Sequence, residues 1–168
     1  MRNTQSSIPA PGDNYISGEF GGTPVYCVAD KGLSQTSYYH IDVTQNADYC
    51  SLFTQTLPED VELSINFLNT GLFQKQLPTS WPHANPAYCE QASVILTEKG
   101  PGNKVVSVFR GGSGYSSPLQ VQVTSVSNEI VEGTFEGKLF RYIDDKYAYD
   151  FIFVKNGKFR VKVHKQLP

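Results

Sequence analysis

Five aromatic side chains, Tyr38, Tyr39, Trp81, Tyr88 and Tyr115, fall in or near loops and polar strand segments. An exposed ring in such a place can stack on the face of a sugar or anchor a protein partner. Trp81 leads the set as the single tryptophan, lying among Pro78, Pro82 and Pro86. A Trp and two Tyr held in one plane would suit a polysaccharide. The competing reading is structural, with Trp81 pinning a Pro-rich segment to the fold and the tyrosines covering sheet edges.

Other chemistries find weaker footing. Asp144 and Asp145, with Asp150 nearby, offer hard oxygen ligands for Ca²⁺ but lack the D-x-D-x-D-G spacing, and a polar turn between strands accounts for them more simply. His40, His83 and His164 sit in separate elements without metal-ligand spacing. Gly111-Gly112-Ser113-Gly114-Tyr115 lacks the closing glycine of a nucleophile elbow and the Gly-Lys-Ser/Thr of a phosphate loop. Glu19, Glu132 and Glu136 lie on strand segments, where glutamates are usually solvated, and pairing carboxylates for glycoside hydrolysis needs coordinates. No cofactor is expected. Cys27, Cys50 and Cys89 form no C-x-x-C pair, which leaves two readings open: a disulfide among them with one free thiol, or three small buried hydrophobes.

The elements that must hold these residues read as strands. In 168 residues there are ten Tyr, ten Phe, fourteen Gly and ten Pro, with only 18% charged, a balance that favours aromatic strands and frequent turns over helices. A chain of this length has room for a core without a metal. Strand signals recur every ten to fifteen residues, each ended by Gly, Pro, Asn or Asp. Residues 15–20 and 24–29 flank Gly21-Gly22, residues 37–43 alternate in a two-residue period, and 49–56 and 61–68 follow. The prolines between residues 69 and 88 predict a long irregular loop. Strands resume at 92–97, 104–109, 119–126, 130–143 and 149–154, and Asn156-Gly157 predicts a type I′ hairpin into 159–163. About ten strands at this spacing predict an all-β domain, an antiparallel two-sheet sandwich over residues 13–168 behind a flexible leader at 1–12. Gly18-Glu19-Phe20-Gly21-Gly22 is echoed by Gly133-Thr134-Phe135-Glu136-Gly137, too little for a repeat architecture.

Val131-Glu132-Gly133-Thr134-Phe135-Glu136-Gly137-Lys138-Leu139-Phe140, followed by Val154-Lys155-Asn156-Gly157-Lys158-Phe159-Arg160-Val161, resembles the C-terminal signature of exported lipoprotein-like domains common in the Bacteroidetes. Ile16-Ser17-Gly18-Glu19-Phe20-Gly21-Gly22-Thr23-Pro24-Val25 looks like their opening strand, so the resemblance covers both ends and leaves the middle unmatched. It implies a β-sandwich at the cell envelope, in the periplasm, on the outer membrane or outside the cell, often anchored by a lipidated Cys that residues 1–12 do not contain. The resemblance supplies a place and a shape but no catalytic residues.

A net charge of −2 without a basic cluster argues against a nucleic-acid partner, and no apolar run approaches the ~20 residues that span a bilayer as a helix. The expectation is therefore a non-catalytic, envelope-associated binding or accessory module, with a polysaccharide or an envelope protein as partner. A purely structural lipoprotein domain is the alternative and a hydrolase the third reading. Composition sets no oligomeric state.

Overall fold

The computed structural model describes residues 14–28, 37–42, 47–55, 60–82, 90–113, 119–144 and 146–166. They form twelve strands. The first six are β1 (Tyr15–Phe20), β2 (Thr23–Val28), β3 (Tyr38–Asp42), β4 (Ala47–Gln55), β5 (Val61–Leu68) and β6 (Thr79–Trp81). Then come β7 (Gln91–Lys99), β8 (Val105–Gly112), β9 (Gln120–Ser127), β10 (Ile130–Ile143), β11 (Lys146–Lys162) and β12 (His164–Gln166). Successive strand residues point to opposite faces, and β5 shows the result: Val61, Leu63, Ile65 and Phe67 are buried while Glu62, Ser64 and Asn66 between them reach the surface.

The chain is all-β, but the expected two-sheet sandwich does not form. Antiparallel pairing runs from β11 through β1, β2, β4, β5, β7 and β8 to β10, and β10 pairs back onto β11. The result is a closed barrel of eight strands, each ring strand lying beside the next ring strand in the chain. β9 and β6 continue the sheet outward from β10, while β3 lies along β4 and carries β12 in parallel. Two thin seams complete the ring. Val28↔Gln55 joins β2 to β4, and Phe140↔Arg110 with Arg141↔Phe109 joins β10 to β8. Short alternating strands with frequent turns are common to sandwiches and barrels. What decides closure here is the bending of two long strands: β10, of 14 residues, serves three neighbours, and β11, of 17, serves two.

One of those bends overturns the Asn156-Gly157 hairpin. β11 runs straight through both residues, and the register slips between Phe135 and Gly137 so that the strand bulges there. A type I′ turn needs positive φ at both central residues. Asn156 has φ 52, but Gly157 is not in the left-handed region. What Gly157 supplies is space, since a Cβ on it would stand 2.3 Å from the Phe135 carbonyl oxygen. The tight turns lie elsewhere. Gly21 and Gly22 (φ 57 and 81) join β1 to β2, and Asn128 and Glu129 (φ 50 and 64) join β9 to β10. The stretch expected as a Pro-rich loop contains a 3₁₀ turn at Leu72–Gln74 and strand β6, which pairs with Val121, Gln122 and Val123 of β9. Residues 83–89 lie outside the described residues.

Barrels of eight strands are just wide enough for side chains to fill. Ile16, Leu52, Leu63, Ile65, Val94 and Leu139 all point inward with no exposed surface. No helix among the described residues is long and apolar enough to cross a membrane.

The seam between β8 and β10 sets a sharp demand on Gly111, where a Cβ would lie 2.3 Å from the Lys138 carbonyl oxygen and 2.9 Å from Leu139 Cδ2. Backbone cannot yield as a side chain can. Gly111→Ala is expected to lower unfolding stability by about 1–3 kcal/mol through overpacking. Gly100→Ala, whose Cβ meets the exposed Val106 side chain, should cost much less. Equal midpoints in urea for the two variants would show that the seam tolerates opening.

Candidate binding face

The large apolar side chains left exposed among the described residues are Val105, Val106, Ile143, Tyr149, Phe151 and Phe153. All six belong to β8, β10 and β11. Arg141 pairs with Phe109, and the strands are antiparallel, so the start of β8 with its two valines runs toward the end of β10 where Ile143 sits. Phe140 lies opposite Phe151, and Lys138 opposite Phe153. The four side chains therefore share the outer face of the β10–β11 pair. The Phe140 and Phe151 rings are 5.7 Å apart at 59°, and Phe151 meets Phe153 edge-on at 5.2 Å and 88°. Tilted rings of this kind make a faceted apolar surface and not a flat stacking platform.

Cations frame the rings. Lys138 Nζ sits 4.5 Å from the Phe151 centroid and 5.7 Å from that of Phe153, and the Arg110 guanidinium lies 4.0 Å over Tyr142. Each such contact contributes about 0.5–1 kcal/mol at an exposed site and holds the cation in a defined place. Arg141 Nε pairs with Asp150 at 2.6 Å, and both groups remain largely solvated. Asp144 closes the β10–β11 turn, exposed and with φ 48, a conformation that Asp tolerates better than most residues.

Below the rings, the outer wall of β9, β10 and β11 carries a shallow groove of about 330 Å³. Gln120, Gln122, Thr134, Glu136, Asn156 and Lys158 line it with donors and acceptors. A second, open cleft of about 580 Å³ at one barrel end holds Asp48, Asn69, Thr70, Lys75 and Glu90. Its carboxylates are engaged in structure. Asp48 Oδ2 accepts the Gly71 N–H at 2.9 Å, and Glu90 accepts from Lys75 Nζ and, at 3.0 Å, from the Trp81 indole N–H. Among the described residues no three His, Cys, Asp or Glu side chains gather where a metal ion would fit.

Sequence reasoning placed the aromatic site elsewhere. Trp81 is 0% exposed: its ring meets Phe67 edge-on at 5.4 Å, and its only polar atom is held by Glu90. The ring is core, closed to a ligand. Tyr38 and Tyr39 lie on β3, with backbone partners His164 and Lys165 of β12 and Ser51 and Cys50 of β4, and their side chains are outside the description. Tyr88, Tyr115, Asp145 and Cys89 fall outside the described residues. The phenylalanines were missed although Phe151-Ile152-Phe153-Val154 carries a signal. Ile152 and Val154 turn toward the core, so the two-residue period sends both rings outward.

Cys27 and Cys50 are buried free thiols. Burial, the largest cause, raises both pKa values. Asp60 and Glu62 add to the rise at Cys27 against a hydrogen bond from Thr54, and Asp48 helps push Cys50 up to about 12.

Two outcomes follow from these placements. Trp81→Ala should cost about 3–5 kcal/mol, and native Trp81 emission should sit at short wavelength and resist acrylamide; easy quenching of the folded protein would mean an exposed ring. For Cys50, folding raises the pKa of an acid, so its stabilisation is complete below the ordinary value of 9.0 and is lost as pH rises toward about 12. Urea titrations from pH 8 to 10.5 should show stability falling more steeply in the wild type than in Cys50→Ala, by up to about 1.4 kcal/mol per pH unit. Parallel slopes would mean that the thiol ionises freely in the fold.

Comparison with known protein families, curated proteins and solved structures finds no match, so the functional reading of this face rests on its own geometry.

Proposed function

We propose that the chain is a non-catalytic binding module that docks a protein partner through the faceted corner of β8, β10 and β11. The observation that carries this reading is the exposure of Phe151 and Phe153, in ring contact with each other and, through Phe151, with Phe140, on the outer face of the β10–β11 pair. Singly exposed apolar residues are ordinary, whereas a contiguous patch rimmed by polar groups marks an interaction site. Aromatic rings beside arginine are the composition of binding hot spots. A setting at the cell envelope is what the resemblance of the chain's two ends implies. Polysaccharide binding is the second reading, favoured by the amide-rich groove of Gln120, Gln122 and Asn156 beside the rings.

Selection from a random phage-displayed peptide library on the immobilised protein separates the two. Docking at the corner predicts convergent peptides that bind the wild type and lose at least ~10-fold in affinity on Phe151→Ser/Phe153→Ser at unchanged thermal stability. Peptides indifferent to that double variant would overturn the assignment. A polysaccharide panel that binds the wild type and the phenylalanine variant alike, but not Gln122→Ala/Lys158→Ala, would put the groove in its place.

A further inference from the structure

The open cleft at the barrel end is organised around one acidic residue and one turn. β5 ends at Leu68, and the chain passes through Asn69 and Gly71, both left-handed (φ 55 and 56), into the 3₁₀ turn Leu72–Gln74. Asp48 of β4 clasps this turn at two points: its carbonyl oxygen accepts the Asn69 N–H at 2.8 Å, and its Oδ2 accepts the Gly71 N–H at 2.9 Å. Side-chain oxygens gather at the clasp. Asn69, Thr70 and Gln74 line the same cleft, and the Gln74 amide oxygen stands 3.9 Å from where a Cβ on Gly71 would be. Two of these oxygens are orphans: Asn69 Oδ1 and Thr70 Oγ1 are buried without a hydrogen-bond partner among the described residues, Thr70 at 1% exposure. A buried polar atom left unpaired is costly, so two on successive residues beside a carboxylate mark a place where a ligand would satisfy both.

We propose that this turn is a Ca²⁺ site, held by the Asp48 carboxylate, Asn69 Oδ1, Thr70 Oγ1 and Gln74 Oε1, with water completing the shell. Every donor is a hard oxygen, with no nitrogen or sulfur of the kind that zinc selects. Ca²⁺ takes six to eight oxygens in flexible geometry, whereas Mg²⁺ demands a near-ideal octahedron that a turn of irregular backbone is not built to give. Charge points the same way. Glu90 is committed to Lys75 Nζ and to the Trp81 indole N–H, so that ion pair adds no net charge to the cleft and Asp48 supplies the negative charge that a cation meets. A single carboxylate makes a weak site, with a dissociation constant of about 10⁻⁴–10⁻³ M. The site lies apart from the exposed phenylalanines and stands or falls independently of docking there.

Ca²⁺ at 10 mM, about ten-fold above the weaker of those constants, should raise the thermal midpoint of the whole chain by roughly 3–6 °C. Mg²⁺ at the same concentration should leave it in place. Trp81, the single tryptophan, reaches the cleft through Glu90, so Tb³⁺ bound in place of Ca²⁺ should luminesce on excitation of Trp81 and lose that emission as Ca²⁺ is added. Thr70→Val removes the orphan hydroxyl and keeps its shape. It should leave the metal-free midpoint at or above that of the wild type while weakening Ca²⁺ at least ~10-fold, a combination that loss of a ligand produces and a folding defect does not. Gln74→Ala, at an exposed position, should weaken Ca²⁺ several-fold. A wild-type midpoint indifferent to Ca²⁺ would overturn the site. So would Ca²⁺ binding that survives both Thr70→Val and Asp48→Asn unchanged, because the ion would then sit elsewhere.

Discussion

The barrel is built on the antiparallel pairing of β10 with β11, which runs from Ile130↔Lys162 to Ile143↔Lys146 through two breaks in register. Both strands are longer than any other neighbour, so each has edge to spare. β11 lends its other edge to β1, while β10 gives its first half to β9 and its later part to β8. Bulges add the local twist that lets a sheet curl on itself, and one of them falls where β10 passes Asn156. A straight pair would leave β1 and β8 on opposite margins of an open sheet, with Leu139, Val154 and Phe159 facing water instead of Ile16, Phe20 and Leu63.

The pair that closes the ring also carries the exposed rings. Among the described residues no layer lies over the outer face of the wall, so Phe151 and Phe153, which point outward while Ile152 and Val154 turn to the core, meet water. Opposite Arg110, Phe140 is half-covered. Fold frame and candidate binding face are therefore two consequences of one strand pair.

Local pattern carried much of this architecture. Strands β5 and β10 fall at the residues their alternation predicts, and Gly21-Gly22 is the turn it resembles. The echo of Gly18-Glu19-Phe20 in Gly133-Thr134-Phe135 has a spatial sense too, since Phe20 and Phe135 are both buried and lie 6.1 Å apart across the core. What the pattern lacks is anything fixed at long range. A sandwich and a barrel share strands, turns and burial period, and differ in whether β11 finds β1. Asn156-Gly157 carries the composition of a hairpin, yet the choice between turn and bulge lies in the φ of one glycine, set by Phe135 on another strand. Trp81 is the clearest case, because three nearby prolines suggest an exposed loop while its burial depends on β6 finding β9, some forty residues downstream.

A filled interior narrows where function can reside. Eight-stranded barrels of larger bore hold a small ligand inside, but here Leu52, Leu63, Ile65, Val94, Leu96 and Leu139 occupy the axis without exposed surface. Admitting even a small guest would mean evicting branched side chains from a close-packed core, at several kcal/mol for each one lost. The wall is a different matter. Its residues already meet water, so a partner there displaces solvent and leaves the core intact, and the rings of Phe151 and Phe153 lose apolar exposure at about 25 cal/mol for each Å² covered. Burial thus works against a ligand inside this barrel and in favour of one outside it, on the wall that carries Phe151 and Phe153.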